Sequence, residues 1–407
     1  MAQSLREIAQ ALKASDKKVQ LIYAFNGTGK TRLSQEFTEL IDPKELNEEA
    51  LEEQPIKVLY YNAFTEDLFY WDNDLDGDIV RKLKIHPNKF TNWIFTDQGQ
   101  AFNIITNFQH YTSDKLTPRF NEESVSYDEN GNAIIVNAYS EITFSIEGGN
   151  ADRIENVKIS KGEESNLIWC VFHSLLEQII EVLNIVEPSD RDTNQFNNLQ
   201  YVFIDDPVSS LDDTHLIELA VNIAQLIKSS QSTSPKFIIT THNPLFYNVL
   251  FNEFNNADNR HGYKLKHCEK KRLEKLDDGT FNLHIQSKDS PFAYHLFLLK
   301  ELEKVAQSGD IQKYHFNFLR NILEKTSTFL GYVDWKELLP NEAEGSRDGY
   351  YNRIINLSSH SKFSGEEISV LTTQEKDVLK HLVREITRIY NFRSNINQPV
   401  TLHNVAV

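Results

Sequence analysis

Two adjacent carboxylates, Asp205 and Asp206, follow a run of four apolar residues at positions 201–204. The run is rich in β-branched and aromatic side chains, which is typical of a buried strand in a parallel sheet. Open α/β sheets place their chemistry at the carboxyl ends of such strands. Behind a phosphate-binding loop, Asp205 would hold the Mg²⁺ of a nucleoside triphosphate and Asp206 would polarise the attacking water. The alternative is an Asp-Asp turn that caps the next helix.

A glycine loop earlier in the chain supplies the phosphate-binding site that this pair needs. A predicted strand at residues 19–23 leads into the loop, and a Lys-Thr pair then opens a predicted amphipathic helix, which is the context of a P-loop. The glycines let N–H groups close around phosphate, the lysine reaches the β and γ oxygens, and the threonine hydroxyl binds Mg²⁺. Ala24 stands where the consensus has glycine, which is tolerable if its φ is negative. The predicted nucleotide-binding residues are Asn26, Gly27, Thr28, Gly29, Lys30 and Thr31.

Two further features could complete a nucleotide site. Ser160 and Gly162 precede a long apolar helical pattern, where N–H groups could bind an anion. The alternative is a plain N-cap with first-turn glutamates. His242 ends the next predicted buried strand, residues 236–241, so we expect it to lie beside the acidic strand, near the γ-phosphate. The alternative there is a structural histidine.

The C-terminal part of the chain carries a different set of side chains. Arg320 and Glu324 lie one turn apart on a predicted helix, and Arg353 and His360 lie across the end of another. Metal-free RNA cleavage needs a base for the 2′-OH, an acid for the leaving 5′ oxygen and a cation for the phosphorane. Histidine has a pKa that suits either proton transfer near neutrality. The alternative for Arg320 and Glu324 is a helix-surface ion pair.

Residues 264–275 form the most basic window of an acidic chain and include Lys270, Lys271 and Arg272. Two interpretations stay open for this window. It is either a solvated face or a surface that contacts nucleic-acid phosphates.

Composition limits the class of protein. The chain has 407 residues, enough for two or three domains, and a net charge of −17, which argues against a general nucleic-acid coat protein. Its two cysteines match no metal-ligand spacing and predict reduced thiols. No apolar run approaches the roughly 18 residues of a membrane span, and residues 1–18 do not form a signal peptide. We therefore expect a cytoplasmic protein without membrane association.

The element pattern predicts an α/β ATPase domain with a parallel sheet core and a β-rich lobe, followed by an all-helical domain. The ATPase pattern ends soon after residue 252, so we predict domains at residues 1–263 and 264–407. Helical periodicity predicts helices at residues 292–307, 311–329, 350–358 and 373–390.

The order of P-loop, Ser-x-Gly helix start, Asp-Asp strand and strand-His resembles the ABC ATPase superfamily in its SMC/RecF-like branch. On that resemblance, Ser160 and Gly162 belong to the signature loop, residues 209–212 with Asp212 to the D-loop, and His242 is the switch histidine. The signature loop would clasp the nucleotide of a second subunit, which implies at least a homodimer. Departures are Lys161, Glu163 and Asp206, where glycine, glutamine and glutamate are usual. The Q-loop glutamine stays open among Gln98, Gln100 and Gln109.

The joint motif set resembles the PrrC-type bacterial anticodon nucleases over residues 5 to about 390. The segments that carry the resemblance are residues 22–31, 61–74, 159–166 and 319–325, then residues 353–356 and 359–361. It implies that Arg320, Glu324 and His360 form the catalytic triad of a helical nuclease domain. The spacing from Arg353 to His360 also resembles the Arg-x(4–6)-His motif of HEPN ribonucleases.

The resemblance implies cleavage in a tRNA anticodon loop, typically of tRNA-Lys beside the wobble base, leaving a 2′,3′-cyclic phosphate and a 5′-OH without a metal at the nuclease site. It further implies activation by ATP or GTP hydrolysis with Mg²⁺, sustained by dTTP binding, and phage defence in which a type I restriction–modification complex silences the enzyme. An ungapped match puts Ser287 where the family has a wobble-contacting aspartate, and Asp289 is the alternative.

Two other functions remain possible at the level of sequence. One is a RecF-like DNA-repair ATPase whose helical domain only binds or dimerises. The other, a transporter ATPase subunit, leaves the C-terminal half without a role. A nuclease would nick tRNA without added DNA, whereas a RecF-like ATPase would be stimulated by duplex DNA.

Overall fold

The structure is a computed structural model. The residues that it describes are 2–43, 55–62, 69–72, 81–86, 91, 93–127, 132–147, 153–207, 213–276, 278–286, 294–341, 347–358 and 371–392.

The chain divides into two compact units, Met1–Asp289 and Ser290–Val407. The boundary predicted after residue 263 is therefore too early. Residues 268–275 and 281–285 are strands of the first unit's main sheet, and the first of them pairs directly with the strand that leads into the P-loop. The strand Cys268–Lys275 is rich in charged residues, yet it has buried residues on both of its faces.

The first unit alternates strands and helices. Its described α-helices are α1 (Leu5–Ala14), α2 (Lys30–Ile41), α3 (Ala101–Tyr111), α4 (Lys161–Asn184), α5 (Asp213–Ser229) and α6 (Pro244–Phe254). Its described strands are β1 (Val19–Tyr23), β2 (Val58–Asn62), β3 (Phe69–Asp72), β4 (Lys82–Ile85), β5 (Leu116–Phe120), β6 (Ser124–Tyr127), β7 (Ala133–Val136), β8 (Glu141–Glu147), β9 (Arg153–Ile154), β10 (Tyr201–Asp205), β11 (Lys236–Thr241), β12 (Cys268–Lys275) and β13 (Phe281–Ile285).

The main sheet has the strand order β13-β12-β1-β11-β10-β2. All neighbouring pairs are parallel except β12 and β13, which are antiparallel. The central strands β1 and β10 are buried at every position, as expected for strands covered on both faces. Because β1, β10 and β11 run in the same direction, the segments that follow them meet at one edge of the sheet.

A β-rich lobe lies between the P-loop half and the acidic strand, as predicted. Its larger sheet has the order β3-β4-β8-β5, with β9 added to β8, and β6 pairs with β7 in a separate hairpin. Phe108 of α3 and Phe144 of β8 pack with their ring centroids 6.0 Å apart.

Helix α4 is the core helix of the first unit. Among the described residues, it is the helix long and apolar enough to cross a membrane, and 78% of its most apolar window is buried inside the protein. Its buried residues include Leu167, Leu175 and Ile179. This burial is that of a core helix.

The described part of the second unit is helical. Its α-helices are α7 (Tyr294–Ser308), α8 (Tyr314–Leu330), α9 (Asp348–Ser358) and α10 (Thr373–Ile389), and a 3₁₀ turn covers Trp335–Leu338. They enclose a core of their own, in which Leu302, Phe316, Leu323 and Leu382 are buried. The four predicted helices are thus confirmed within a few residues at their ends, whereas a nuclease role for this unit stays a prediction.

Candidate nucleotide-binding and nuclease sites

The predicted P-loop joins β1 to α2. Gly27 has φ +76° and Gly29 has φ +99°, a left-handed conformation that favours glycine. Helix α2 begins at Lys30 directly after Gly29, and its first intrahelical amide is that of Leu33, which donates to Gly29 O at 2.9 Å. Amides of the preceding residues have no partner in the helical pattern and face the loop side. Ala24 is buried and its φ is not left-handed, so the departure from the glycine consensus is tolerated.

Lys30 is buried at the base of the loop. Its Nζ lies 3.4 Å from Ala24 O and 3.3 Å from Asn26 Oδ1. The same ammonium lies 3.4 Å from Asp206 Oδ2. The cation is therefore folded into the concavity that would hold phosphate oxygens.

Asp205 ends β10 directly opposite the start of α2. Thr31 Oγ1 donates to Asp205 Oδ2 at 2.9 Å, and Thr240 Oγ1 donates to Oδ1 at 2.5 Å. The Tyr60 hydroxyl also donates to Oδ2, at 3.3 Å. Burial raises the pKa of Asp205, and the hydrogen bonds from Thr240 and Thr31 counteract that rise. A buried carboxylate beside a hydroxyl is the donor set that Mg²⁺ uses in P-loop proteins.

Asp206 is held by His242 and Thr241 at the same sheet edge and by the ammonium group of Lys30. His242 Nδ1 lies 2.5 Å from Asp206 Oδ2, and Thr241 Oγ1 donates to Oδ1 at 3.2 Å. Burial by itself would raise the pKa of Asp206, but the hydrogen bond with His242 and the charge of Lys30 hold it below its usual value. Asp206 therefore stays ionised near neutrality, as a residue that orients water must.

These residues fit a nucleoside triphosphate with Mg²⁺. Lys30 and the loop amides would hold the phosphates, and Thr31 with Asp205 would hold the metal. Asp206 and His242 lie next to them, directly after the ends of β10 and β11. The structure thus brings together every described residue that the sequence analysis assigns to the phosphate and metal end of this site.

Ser160 is the N-cap of α4. Its hydroxyl accepts a hydrogen bond from Glu163 N at 3.3 Å, and its own N–H donates to Glu163 Oε2 at 2.6 Å. This reciprocal capping box satisfies the N–H groups of Ser160 and Glu163 within the chain. The N-cap alternative therefore describes the arrangement seen in the single chain, and a contact from Ser160 or Gly162 to a partner's nucleotide stays a prediction. The predicted D-loop with Asp212 lies outside the described residues.

The next residue on α4, Glu164, ties this helix to the β-rich lobe. Its carboxylate is only 3% exposed. Trp71 of β3 donates from Nε1 to Glu164 Oε1 at 2.5 Å, and Lys161 Nζ lies 2.7 Å from Oε2. The lobe thereby fixes the turn of helix that carries the predicted signature residues.

Arg320 and Glu324 lie together on α8 of the second unit. Arg320 Nε donates to Glu324 Oε1 at 2.7 Å, and both side chains are more than a third exposed. On the neighbouring helix α7, His295 Nε2 lies 2.9 Å from Oδ1 of Asn321, the residue after Arg320. Arg353 is exposed on α9, and His360 lies outside the described residues. The geometry is that of an accessible Arg–Glu pair, which a substrate could reach.

Comparison with known proteins decides the family. A curated anticodon nuclease of Escherichia coli is 48% identical over 412 aligned residues, which cover 94% of this chain and 96% of that protein.

The chain belongs to the anticodon nuclease family.

Other comparisons cover parts of the chain. A family model described as an AAA domain matches residues 143–386, more than half of the chain. The solved SmcHead bound to the C-winged helix domain of ScpA covers 67% of the nuclease, with 91% of its own chain, at 12% identity and TM-score 0.31. An Smc head with an extended coiled coil, from a complex with ScpA derived from Pyrococcus furiosus, covers 49%, with 37% of its own chain, at 16% identity and TM-score 0.26. Scores this low carry no residue-level information.

Neither interpretation of the basic window, a solvated face or a surface that contacts phosphates, describes Lys270 and Lys271. Lys270 and Lys271 are buried, at 7% and 4% exposure. Lys270 Nζ bonds Asn255 Oδ1 and lies over the Phe251 ring, whereas Lys271 Nζ donates to Gln20 Oε1 at 2.6 Å. As neighbours on an internal strand, these two lysines point to opposite faces of the sheet, and both side chains are buried there. They therefore cannot contact RNA.

The other residues predicted to contact RNA are Arg272, Ser287 and Asp289. Arg272 is partly exposed and lies 3.4 Å from Glu274. Ser287 and Asp289 lie outside the described residues. Of the three candidate Q-loop residues, Gln109 donates to Asp114 O and Thr117 Oγ1 within the lobe, which is a structural use of its amide.

Three residues of the nucleotide site were missed by the sequence analysis, one of them Thr241, which bonds Asp206. Thr240 and Tyr60 both bond Asp205, from the strands on either side of β10. A signal existed for Thr240, because it lies two positions before His242 on the same strand. Tyr60 gave none, since a tyrosine within an apolar strand is usually a packing residue.

Proposed function

We propose that this anticodon nuclease is an endoribonuclease that cuts a tRNA anticodon loop under the control of nucleotide hydrolysis. The observation that carries the proposal is the family relationship over nearly the whole chain, ATPase and helical parts together. The exposed Arg320–Glu324 pair is accessible to an RNA substrate, as the proposal requires.

The helical unit supplies the chemistry of RNA cleavage in this proposal. The Arg320 and Arg353 guanidinium groups neutralise the scissile phosphate and stabilise the phosphorane. Glu324, oriented by Arg320, and His360 share the two proton transfers, one from the 2′-OH and one to the leaving 5′ oxygen. Attack of the 2′ oxygen breaks the P–O5′ bond, so the products are a 2′,3′-cyclic phosphate and a 5′-OH. The side chains involved can do this without a metal.

Nucleotide control comes from the first unit. Lys30, Thr31 and Asp205 bind ATP or GTP with Mg²⁺, and Asp206, oriented by His242, positions the hydrolytic water. Ser160 and Gly162 contact the nucleotide of a second subunit, so the competent form is a homodimer or a higher homo-oligomer. Bound dTTP sustains the active form.

The substrate and the biological setting follow from the family resemblance. We expect tRNA-Lys as substrate, contacted by Ser287 or Asp289, and a type I restriction–modification complex as the silencing partner during phage defence. The site of action is the cytoplasm.

The test is a cleavage assay on the full chain. Purified protein is incubated with Mg²⁺, GTP or ATP and total tRNA without DNA, and the new 3′ ends are sequenced after removal of terminal cyclic phosphates. Ends confined to one anticodon loop support the proposal, and excess EDTA added after activation should not stop the cutting. Intact tRNA together with nucleotide hydrolysis stimulated by duplex DNA would instead identify a RecF-like ATPase.

A further inference from the structure

A cavity of about 350 Å³ opens at the amino ends of the main-sheet strands, a volume within the range of small-molecule sites. Lys18 immediately precedes β1 and Lys236 is the first residue of β11. The segments before β11 and before β12 complete the wall with Ser230, Ser232 and His267. The P-loop follows the other end of β1, so the length of a strand, about 17–20 Å, separates the two places.

The wall of this cavity is rich in cations although the chain as a whole carries a net charge of −17. Lys18, Lys228 and Lys236 line it together with one carboxylate, that of Asp16. Lys228 is 3.3 Å from Glu253, and Lys236 is 4.0 Å from the fully exposed Asp16. Lys18, by contrast, donates to two neutral carbonyl oxygens, those of Ser230 and Ser232. Burial lowers the pKa of Lys18 to about 8, the response of an ammonium whose lost hydration is not replaced by a carboxylate.

The pKa of His267 reflects the same excess of positive charge. Its pKa is lowered by burial and then by the charges of Lys266, Lys18, Lys264 and Lys17. The Lys264 amide donates to its Nδ1 at 3.2 Å, so Nε2 carries the proton of a neutral ring and is a donor. Ser230, Ser232 and Thr233 add hydroxyl donors to the same wall.

We propose that this cavity, here called the basal cavity (Lys18, Lys228, Lys236, His267 and the hydroxyls of residues 230–233), binds a small phosphate-bearing molecule. Ammonium groups, hydroxyls and an imidazole N–H are the donors that phosphate oxygens accept. Like charges held together in a concave wall repel one another, and a bound dianion removes that repulsion. The basic sequence window thus contributes His267 to this site, with Lys264 and Lys266 as nearby charges, and not its buried strand lysines.

The position of the basal cavity connects it to the nucleotide site. Strand β1 runs from Lys18 to the P-loop, and β11 runs from Lys236 to His242. A ligand that orders the amino ends of these two strands therefore acts on the elements that hold Lys30 and His242.

The experiment measures binding of inorganic pyrophosphate by calorimetry to the full chain carrying Lys30→Met, which disables the P-loop. We expect one remaining site, whose affinity falls at least tenfold when Lys236→Gln is added. Lys18→Gln should have the same effect. With two independent variants, the test does not depend on the correct folding of one of them. Lys115→Gln, which removes an exposed lysine in the β-rich lobe, is the matched control and should leave the affinity unchanged.

Two results would overturn the proposal. One is the absence of pyrophosphate binding to the Lys30→Met protein. The other is binding that Lys236→Gln and Lys18→Gln leave within twofold of the Lys115→Gln value, since the ligand would then lie elsewhere.

Discussion

His242 Nδ1 and Asp206 Oδ2 lie 2.5 Å apart, although 36 positions separate the two residues in the chain. Asp206 reaches this contact with φ +52°, a left-handed conformation that is unfavourable for a residue before proline. Its N–H donates to Thr240 O at 2.9 Å, so β11 fixes the backbone as well as the carboxylate. Strain of this kind persists only where surrounding contacts determine the conformation, and it concentrates at functional sites.

Replacement of His242 by alanine should slow nucleotide hydrolysis about 10- to 100-fold, the loss expected when a hydrogen bond to a charged group is removed. Nucleotide affinity should change little, because Lys30 and Thr31 remain. Since the His242 contact lowers the pKa of Asp206, its loss should move the acidic limb of the pH–rate profile to higher pH. Steady-state hydrolysis measured across pH tests this.

His284→Ala is the control for that experiment. His284 Nε2 on β13 lies 2.6 Å from Glu274 Oε2 on β12, so the change removes a similar His–carboxylate contact that does not involve Asp206. Equal slowing by both variants would show that the effect is not specific to Asp206.

Arg320→Ala should abolish tRNA cleavage, a loss of at least about a hundredfold, and leave nucleotide hydrolysis unchanged. Arg320→Lys should recover little, because lysine cannot reproduce the planar fork of the guanidinium. The pair is exposed, so the free energy of unfolding should fall by no more than about 1 kcal/mol. Cleavage and hydrolysis are measured on the same preparations.

Arg388→Ala, on α10, is the matched control for Arg320→Ala. Arg388 Nη2 lies 2.6 Å from Glu385 Oε2 in another exposed helical ion pair of the same unit. If Arg388→Ala were as damaging as Arg320→Ala, or if Arg320→Ala still cut tRNA, Arg320 would have no catalytic role.

Trp71→Phe should lower the free energy of unfolding by about 1–3 kcal/mol, because it removes a donor from the buried Glu164 carboxylate. In a Glu164→Gln background the same change should cost less, since the carboxylate is gone. Denaturant titration of the two single variants and the double variant gives this coupling. Additive effects would mean that Trp71 acts through its ring packing alone.

Stability should fall as the pH drops from 6.5 towards 4 because of His173. Its Nδ1 is enclosed without a partner among the described residues, and burial lowers its pKa to about 4. The unfolded chain binds the proton near pH 6.5 and the folded protein does not, so acid favours unfolding, by about 2–3 kcal/mol for this group. Thermal unfolding at pH 7 and pH 4.5 measures the loss.

His173→Phe should reduce this loss, because phenylalanine keeps the contact with Trp169, whose ring centroid lies 5.7 Å away, and does not titrate. His381→Gln, on the exposed side of α10, should behave as the wild type. If the acid loss were the same in all three proteins, His173 would not be its source.

Much of the fold was readable from local patterns. The P-loop, the acidic strand and the four C-terminal helices follow from glycine spacing, β-branched runs and helical periodicity, which depend on neighbours in the chain. Strand β12 was not readable in this way. Its high content of charged residues is typical of solvent-exposed segments, and only its insertion between β1 and β13 buries Lys270 and Lys271.

The sequence by itself determined which chemical groups this nuclease carries and the order in which they occur, because motif spacing is a local property. It also predicted the contact of Arg320 with Glu324, which a spacing of four residues brings together on one helix. Only the tertiary structure decided which groups far apart in the chain meet: Thr31 with Asp205, Asp206 with His242 and Trp71 with Glu164. These three contacts depend on strand order and on packing between elements.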